Sequence, residues 1–414
     1  MSVSEYKVFT MVTTTAGEPL TWDPLDPSFK TDPHPIWRRL RDEAPLYRNE
    51  TYDFWALSRF DDVMAASLDP RTFSSAHGTV LEHMTELPMG GMHMMIFMDQ
   101  PEHTVFRRLV SRAFTVRRVA ELEPKIRALC ADLLDAQKGK GGFDFVADFG
   151  ALVPANVIAM LLGVPPEDRD EVRETIDGIF HLEPGAGMVN DVSLNAMMKL
   201  HGYIGEQLVE RQSRPRDDML TDLLTAEVAE PDGTRRTLTL EESTAFAILI
   251  VSAGTETVAR LLGWAGHTLA AHPDQRAELA ADSSLIPHAI EELLRYEAPS
   301  PVNGRWTTAP VEFYGTEIPP NSKILMLTGS AGRDERAFPD ADRFDIHRQF
   351  DQHVTFGYGI HFCLGAALAR LEGRIALEET LARYPEWEVD HGRSEFLFTS
   401  TVRGYSKLPV TVPG

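Results

Sequence analysis

Most apolar positions along the chain recur at the three- and four-residue spacing of an amphipathic helix. The first long stripe of this kind consists of Val119, Leu122, Ile126, Leu129 and Leu133. Similar stripes appear across residues 191–211 and 274–297. The pattern therefore predicts a chain in which helices dominate.

Short strands are predicted in a smaller part of the chain, where β-formers lie between turn residues. They are expected at residues 45–47, 53–57, 311–314, 322–327 and 408–412. The sequence contains no internal repeat and no long low-complexity linker. We therefore expect one domain spanning residues 1–414, mainly α with a smaller β part.

Charge and cysteine content narrow the class of protein. The formal net charge of −22, from 62 acidic and 40 basic residues, argues against a nucleic-acid partner. Two cysteines provide no disulfide framework, which suits a reducing compartment such as the cytoplasm. The first twenty residues contain no apolar run long enough to cross a bilayer, so we expect no membrane association.

A long apolar helix is predicted in the middle of the chain. Thr239 followed by Glu242 has the capping-box pattern, and the helical pattern continues to about Ala271, before Pro273. The strongly apolar residues 246–251 run directly into polar ones. This segment therefore fits a buried core helix better than a membrane span.

The middle of that helix carries the unusual segment Ala253-Gly254-Thr255-Glu256-Thr257. Glycine costs about 1 kcal/mol inside a helix, and a buried acid must be paired or hydrated. Gly254 removes a side chain where a ligand could approach, and the Thr257 hydroxyl can turn to the carbonyl one turn back. A crossing of helices at small residues, with an exposed acid, explains the segment equally well.

The second cysteine lies in a glycine-rich loop that reads Phe356-Gly357-Tyr358-Gly359-Ile360-His361-Phe362-Cys363-Leu364-Gly365, before a predicted helix from Ala366 to Tyr384. Unpaired N–H groups and the helix dipole at such a helix start favour a thiolate on Cys363. A buried packing thiol is the usual role of a lone cysteine, and we assign it to Cys130. A zinc site is not favoured, because no second cysteine lies at ligand spacing.

This loop resembles the haem-binding signature of the cytochrome P450 family. The resemblance implies a fold in which haem b is sandwiched between the long central helix and the helix after the cysteine loop. It implies that Cys363 is the axial iron ligand, whose electron-rich thiolate favours O–O cleavage. It also implies that Phe356 packs near the haem and the sulfur and that His361 meets a haem propionate. The glycines of the loop, Gly365 among them, let the backbone approach a flat ligand.

Further motifs occur in the order typical of that family. The central segment is similar to the helix that crosses the distal face of the haem, where an acid–alcohol pair relays protons. Glu256 and Thr257 match that pair, beside Ala253 and Gly254.

Basic residues in two other segments match the family's contacts to the haem propionates. His103 and Arg107 share one predicted helix face, and Arg305 follows the Pro301-Val302-Asn303-Gly304 segment. Charge-assisted hydrogen bonds from such groups suit the two haem propionates. A solvated basic helix is the alternative for the first two.

Glu292 and Arg295 are three residues apart and so share a helix face, as many surface ion pairs do. In the family the same spacing belongs to a buried structural pair, which is completed by an arginine from a later loop. Arg343 resembles that arginine.

Apolar residues from several segments are candidates for a substrate pocket. They are Met89, Met92, Met95, Phe97, Phe180, Leu182, Met188, Phe246, Leu249, Ile250, Val302 and Phe398. For the methionine-rich residues 87–98 and the glycine-bearing residues 182–190, a surface loop is the alternative. The candidates indicate a hydrophobic small molecule such as a fatty acid, terpenoid, steroid or polyketide.

The resemblance implies a monooxygenase that inserts one oxygen atom of O2, with NAD(P)H electrons arriving through a ferredoxin reductase and a ferredoxin. Arg108, Arg112 and Arg370 could form a basic patch for the ferredoxin on the Cys363 face. A peroxygenase driven by H2O2 and a non-catalytic haem sensor are the rival functions. Neither rival needs the pair of Glu256 and Thr257.

Overall fold

The computed structural model describes residues 20–26, 31–85, 94–111, 114, 116–181, 190–229, 233–399 and 401–413. The α-helices in these residues are α1 (His34–Glu43), α2 (Phe60–Leu68), α3 (Leu81–Thr85), α4 (Glu102–Ser111), α5 (Val116–Asp135), α6 (Leu152–Leu162), α7 (Arg169–Ile179), α8 (Asp191–Ser213), α9 (Met219–Thr225), α10 (Leu240–Ala271), α11 (Pro273–Ala281), α12 (Ile286–Tyr296), α13 (Thr328–Ala331) and α14 (Ala366–Arg383). The predicted dominance of helices is confirmed.

Strands form small sheets beside the helices. They are β1 (Leu46–Asn49), β2 (Phe54–Leu57), β3 (Phe73–Ser74), β4 (Gly142–Asp144), β5 (Glu227–Ala229), β6 (Arg235–Thr237), β7 (Asn303–Thr307), β8 (Val311–Phe313), β9 (Thr316–Ile318), β10 (Lys323–Met326), β11 (Glu388–Val389), β12 (Glu395–Phe398), β13 (Arg403–Lys407) and β14 (Pro409–Thr411). The strands predicted near residues 45–57, 311–314, 322–327 and 408–412 are confirmed.

The largest sheet has the strand order β1-β2-β10-β7-β3. Strands β1 and β2 pair as an antiparallel hairpin, β10 runs parallel to β2, and β7 runs antiparallel to β10. Arg305 lies opposite Ile324 in this register. The sheet thereby fixes the backbone of Arg305 at the edge of the cavity described below.

The central helix α10 begins where its capping box predicts. The Thr239 side chain accepts a hydrogen bond from the Glu242 amide at 3.1 Å, and the Glu242 carboxylate accepts one from the Thr239 amide at 2.7 Å. This reciprocal pair satisfies two donors that the first helical turn leaves free. Pro273, which has no amide hydrogen, begins the next helix at once.

Helix α10 is the core of the molecule, because it packs against α6, α8, α11, α12 and α14. Among the described residues it alone is long and apolar enough to cross a membrane. Two-thirds of its most apolar part (67%) is buried by the rest of the protein, as in a core helix. The buried helix predicted from residues 246–251 is thus confirmed.

The apolar stripe predicted over residues 274–297 is divided between α11 and α12. Asp282 lies between them, and its carboxylate accepts hydrogen bonds from the Ser284 amide at 3.0 Å and the Ser284 hydroxyl at 2.6 Å. Side chains of this kind compete with the helix for backbone amides. The apolar spacing in the sequence therefore runs on through the break between α11 and α12, which the hydrogen bonds of Asp282 create.

Glu292 and Arg295 on α12 form a buried ion pair whose side chains are 0% exposed. The Arg295 guanidinium donates to both carboxylate oxygens, at 2.6 and 2.7 Å. The third member is Arg348, whose Nε donates to Glu292 at 3.2 Å. The prediction that Arg343 completes this cluster was therefore wrong.

The reason lies in the turn that precedes Arg343. Its amide donates to the Asp340 carbonyl at 2.9 Å, and Asp340 has a left-handed φ of 51°. The Arg343 side chain consequently lies on the surface and pairs with Asp345 at 2.6 Å. Only its carbonyl joins the cluster, accepting from Arg348 at 2.7 Å.

Candidate active site

A cavity of about 290 Å³ lies between the central helix and the cysteine loop. Helix α10 contributes Phe246, Leu249, Ile250, Ala253, Gly254, Thr257, Val258 and Leu261. The cysteine loop and α14 contribute Phe356, Gly357, Tyr358, His361, Cys363, Leu364, Gly365, Leu368, Ala369 and Glu372. Two segments that are about a hundred residues apart in sequence thus line one chamber.

The loop before α14 is shaped by glycines with left-handed backbone. Gly357 and Gly359 have φ values of 67° and 66°, which side chains rarely adopt. A Cβ at Gly359 would also lie 2.5 Å from the Ser67 carbonyl oxygen. The loop closes through the Cys363 amide, which donates to the Phe356 carbonyl at 2.8 Å.

Cys363 lines the cavity three residues before α14 begins. Burial raises the pKa of its thiol, while the Gly365 amide and the charges of Arg107 and Arg370 act in the opposite direction. These three groups favour the thiolate, the form that binds iron. Cys130 lies in the apolar core, where burial raises its pKa to about 12.

Basic side chains gather at another part of the wall. His103 and His361 lie with ring centroids 4.4 Å apart, and Arg107 and Arg305 line the cavity. Burial lowers the pKa of His103 to about 4 and that of His361 to about 2. Burial also lowers the pKa of Arg107, and that of Arg305 falls to about 10.

These basic groups have few internal partners in the described part of the chain. The Nε2 of His103 is buried without a hydrogen bond, whereas His361 contacts the Ser75 hydroxyl at 3.1 Å. The Arg305 guanidinium donates to the Gly304 carbonyl at 2.7 Å. Buried donors in this state suit carboxylates, which form short charge-assisted hydrogen bonds with them.

On α10, Thr257 lines the cavity and donates its hydroxyl to the Ala253 carbonyl at 2.8 Å. Ala253 and Gly254 line it beside Thr257. A Cβ at Gly254 would lie 2.5 Å from the Ile158 side chain, so glycine here permits close packing of α6 against α10.

Glu256 does not line the cavity. Its carboxylate forms an ion pair with Arg260 at 3.1 Å, and both side chains are buried. The carboxylate oxygen Oε2 still makes no hydrogen bond with the described residues, although Arg260 lies within ion-pair distance of it. Burial raises the pKa of Glu256, and Arg260 opposes this shift.

The predicted pocket residues fall into three groups: those that line the cavity, those outside the described part of the chain, and those that the structure places elsewhere. Met95, Phe246, Leu249 and Ile250 line the cavity. The residues that lie outside the described part of the chain are Met89, Met92, Leu182 and Met188, and also Arg112 of the predicted basic patch.

Four further candidates do not line the cavity. Phe97 packs edge-on against His83 at 5.5 Å, and Phe180 packs against the main core. Val302 and Phe398 line a separate pocket of about 30 Å³ that also contains Trp22 and Trp37. Apolar side chains in loops and strands can face several clusters, and only the tertiary fold decides which.

Glu372 is a cavity residue that the sequence analysis missed. It is 1% exposed, one of its carboxylate oxygens has no hydrogen bond among the described residues, and burial raises its pKa to about 8. A signal was available, because Glu372 interrupts the apolar helical row of Leu368, Ile375 and Ala376.

These features fit haem b. Cys363 can supply the axial ligand, the glycine loop permits a flat ring to approach the backbone, and His103, Arg107 and Arg305 suit its two propionates. Gathering a thiol, uncompensated basic groups and apolar walls in one chamber is characteristic of the haem-thiolate class of proteins.

Comparison with known proteins agrees with this class. Residues 57–409 match the sequence model of the family described as Cytochrome P450. The "Putative cytochrome P450 123" of Mycobacterium tuberculosis is 41% identical over 404 residues, which are 97% of this chain and 99% of that protein. The "Vitamin D(3) 25-hydroxylase" of Pseudonocardia autotrophica is 39% identical, covering 97% and 98%.

Solved structures show the same fold. The structure of CYP109Q5 from Chondromyces apiculatus has a TM-score of 0.84 and 35% identity, and the match covers 94% of this chain and 97% of that one. The chain belongs to the cytochrome P450 family. It is accordingly a haem b monooxygenase that uses O2 and NAD(P)H-derived electrons supplied by redox partners.

Proposed function

We propose that this monooxygenase acts in the cytoplasm, as a single domain, on a hydrophobic small molecule, with electrons delivered by a ferredoxin and its reductase. The observation that carries the proposal is one cavity with the Cys363 thiol on one wall and Thr257 on the helix that forms another. When bound, the haem iron supplies the activation of dioxygen that no amino-acid side chain provides.

The walls support a hydrophobic substrate. Phe246, Leu249, Ile250 and Met95 present apolar side chains to the cavity. Burying an apolar molecule there is favoured by about 25 cal/mol for each Å² removed from water. One relative is named for the 25-hydroxylation of vitamin D(3), a substrate of the proposed kind.

Thr257 and Glu256 support staged proton delivery. The Thr257 hydroxyl can exchange its bond to the Ala253 carbonyl for one into the cavity by a rotation about χ1. Glu256 is one residue earlier and ion-paired with Arg260, so it must rotate or act through water to reach Thr257. Its raised pKa brings the carboxyl closer to the range in which it can donate a proton.

The Cys363 face supports an acidic protein partner. Arg108 on α4 is exposed, and Arg107 beside it lines the cavity. Arg370 is engaged by Glu291 in a two-bond ion pair, so it offers less free charge than the sequence suggested. Arg108 is therefore the better candidate for docking an acidic ferredoxin.

The direct test is turnover with a surrogate ferredoxin and reductase, after a ligand panel is screened by the visible spectrum. We expect hydrophobic ligands to displace the iron's water and NADPH-dependent product to form. Turnover with H2O2 alone would favour the peroxygenase, and ligand binding without any turnover would favour the sensor.

Docking is tested separately with Arg108→Glu. We expect slower reduction by ferredoxin at low salt and a smaller difference at high salt, because exposed charges are screened. Arg393→Glu is the matched control, since Arg393 is also a surface arginine and, among the described residues, pairs with nearby Asp390. Equal reduction rates in both variants would exclude Arg108 from the interface.

A further inference from the structure

A second polar cluster lies on the cysteine side of the cavity, where α12, α14 and the cysteine loop meet. Arg370 donates from Nε and Nη2 to the two carboxylate oxygens of Glu291, at 2.6 and 2.8 Å. His353 contacts the same carboxylate at 3.2 Å and is 6% exposed. We call Glu291 and Arg370 the proximal clamp.

The clamp holds an aromatic ring beside the sulfur ligand. The Arg370 guanidinium lies 4.5 Å from the centroid of the Phe356 ring, within cation–π range. The His353 ring lies 5.7 Å from the same ring. The backbone of Phe356 is in turn hydrogen-bonded to Cys363, because its carbonyl accepts a hydrogen bond from the Cys363 amide at 2.8 Å.

The geometry of this ion pair favours a role for Arg370 in holding the Phe356 ring over a role in docking a partner protein. Two hydrogen bonds from a guanidinium to a carboxylate fix the plane of the guanidinium, whereas the guanidinium of an unpaired arginine can rotate. The Arg370 charge is matched by Glu291, and its guanidinium lies against the Phe356 ring, whose backbone carbonyl accepts the Cys363 amide. An arginine whose plane and charge are already engaged is poorly placed to attract a partner protein.

We propose that Arg370, held by Glu291, is a positioning residue for Cys363: it fixes the Phe356 ring and sets the electrostatic field at the sulfur. The inference rests on the assignment of Cys363 as the iron ligand. Glu291 and Arg370 have opposite charges. A variant that lacks the charge of Glu291 and a variant that lacks the charge of Arg370 should therefore change that field in opposite directions.

The test is the reduction potential of the isolated holoprotein, titrated with dyes and without ferredoxin. Arg370→Gln removes positive charge and should shift the equilibrium towards the ferric form, roughly two- to fivefold in the ratio of the two forms. Glu291→Gln leaves the arginine unneutralised and should shift it towards the ferrous form. The Soret band of the carbon-monoxide complex should move in both variants.

Arg374→Gln is the matched control. Arg374 is one turn further along α14 and bonds Glu123 and Glu378 at 2.8 and 3.0 Å. It is an equally ion-paired arginine of the same helix. We expect its potential and carbon-monoxide spectrum to equal those of the wild type.

Arg370→Lys keeps the charge but not the planar two-bond contact. We expect its reduction potential to lie close to that of the wild type and its Soret band to keep part of the shift. This variant replaces Arg370→Gln in the test if Arg370→Gln does not bind haem. Equal shifts in the Arg370 and Arg374 variants, or shifts of the same sign in the Arg370 and Glu291 variants, would overturn the proposal. A changed ferredoxin Kd with an unmoved potential would assign Arg370 to docking instead.

A thiolate spectrum of the wild-type carbon-monoxide complex is checked first. If it is absent, the assignment of Cys363 fails. If it is present and the potentials do not move, only the role of the clamp fails.

Discussion

Two buried glutamates of the same protein are treated in opposite ways. Glu292 on α12 accepts from Arg295 through both oxygens, from Arg348 and from the Asp345 amide. Glu256 on α10 has, among the described residues, an ion pair with Arg260 and an oxygen without a hydrogen bond.

The difference separates scaffold from chemistry. A carboxylate that accepts hydrogen bonds on both oxygens from guanidinium and amide donors is fixed in place and cannot easily take a proton, so it serves the fold. A buried carboxylate with incomplete partners has a raised pKa and can rotate, which suits proton transfer. We therefore expect mutations at the Glu292 cluster to cost stability and mutations near Glu256 to cost coupling of oxygen use to product.

The largest effect is expected for Glu292→Gln. The change leaves the buried Arg295 and Arg348 without their counter-charge, and breaking such a cluster costs about 3–5 kcal/mol. Chemical unfolding and the haem content of the purified protein measure it. Glu395→Gln, in an exposed pair with Lys407, is the control and should change stability by less than about 0.5 kcal/mol. Similar stability of the two variants would contradict the scaffold role.

The next largest effect sharpens the assignment of the third cluster member. Arg348→Gln should cost about 2–3 kcal/mol, because its buried guanidinium bonds Glu292 and the Asp340 and Arg343 carbonyls. Arg343→Gln should cost less than about 0.5 kcal/mol, since that side chain is exposed. The reverse order in thermal unfolding would restore Arg343 to the cluster.

A smaller free-energy effect, but a specific one, is expected for Thr257→Ala. Without the hydroxyl, product formed per O2 should fall about tenfold and peroxide should rise, as general acid catalysis is weakened. Thr255→Ala is a close control, because Thr255 makes the same 2.8 Å bond to a carbonyl one turn back but does not line the cavity. An oxygen electrode with product analysis decides it, and equal coupling in both variants would remove Thr257 from the relay.

The smallest effect concerns Glu372, a third buried glutamate, with even fewer partners. Its pKa is raised from 4.5 to about 8 in the folded protein, so the folded form keeps a proton that the unfolded form releases. The stabilisation from that proton is complete below about pH 4.5 and is lost as pH rises towards 8.

Glu372→Gln removes this dependence. Relative to the wild type, the variant should gain about 1 kcal/mol between pH 5 and pH 6, since one proton released on unfolding changes stability by about 1.4 kcal/mol for each pH unit between the two pKa values. Thermal unfolding at the two pH values measures the difference. A constant difference would show that Glu372 does not titrate in this range.

Local patterns predicted the parts of the fold that depend on neighbours in sequence. The capping box of Thr239 and Glu242 fixed the start of α10, and the glycine loop before α14 placed Cys363 at a helix start. Both depend on backbone donors within a few residues, and such donors are visible in the sequence.

Features that depend on distant contacts were not predictable in the same way. Arg343 and Arg348 are five residues apart, and only the turn at Asp340 decides which of them enters the core. The sequence places Glu256 beside Thr257, but its pairing with Arg260 directs its carboxylate away from the cavity. Side-chain direction is set by packing, which one sequence does not show.

The carbon-monoxide spectrum of Cys363→Ser tests whether the Cys363 thiolate binds the haem iron, with Cys130→Ser as its control. Cys130 is buried in the core away from the cavity lining, so its variant should keep the long-wavelength band of a thiolate-bound haem. Cys363→Ser should lose that band. A thiolate band that persists in Cys363→Ser, or that disappears only in Cys130→Ser, would show that Cys363 is not the iron ligand.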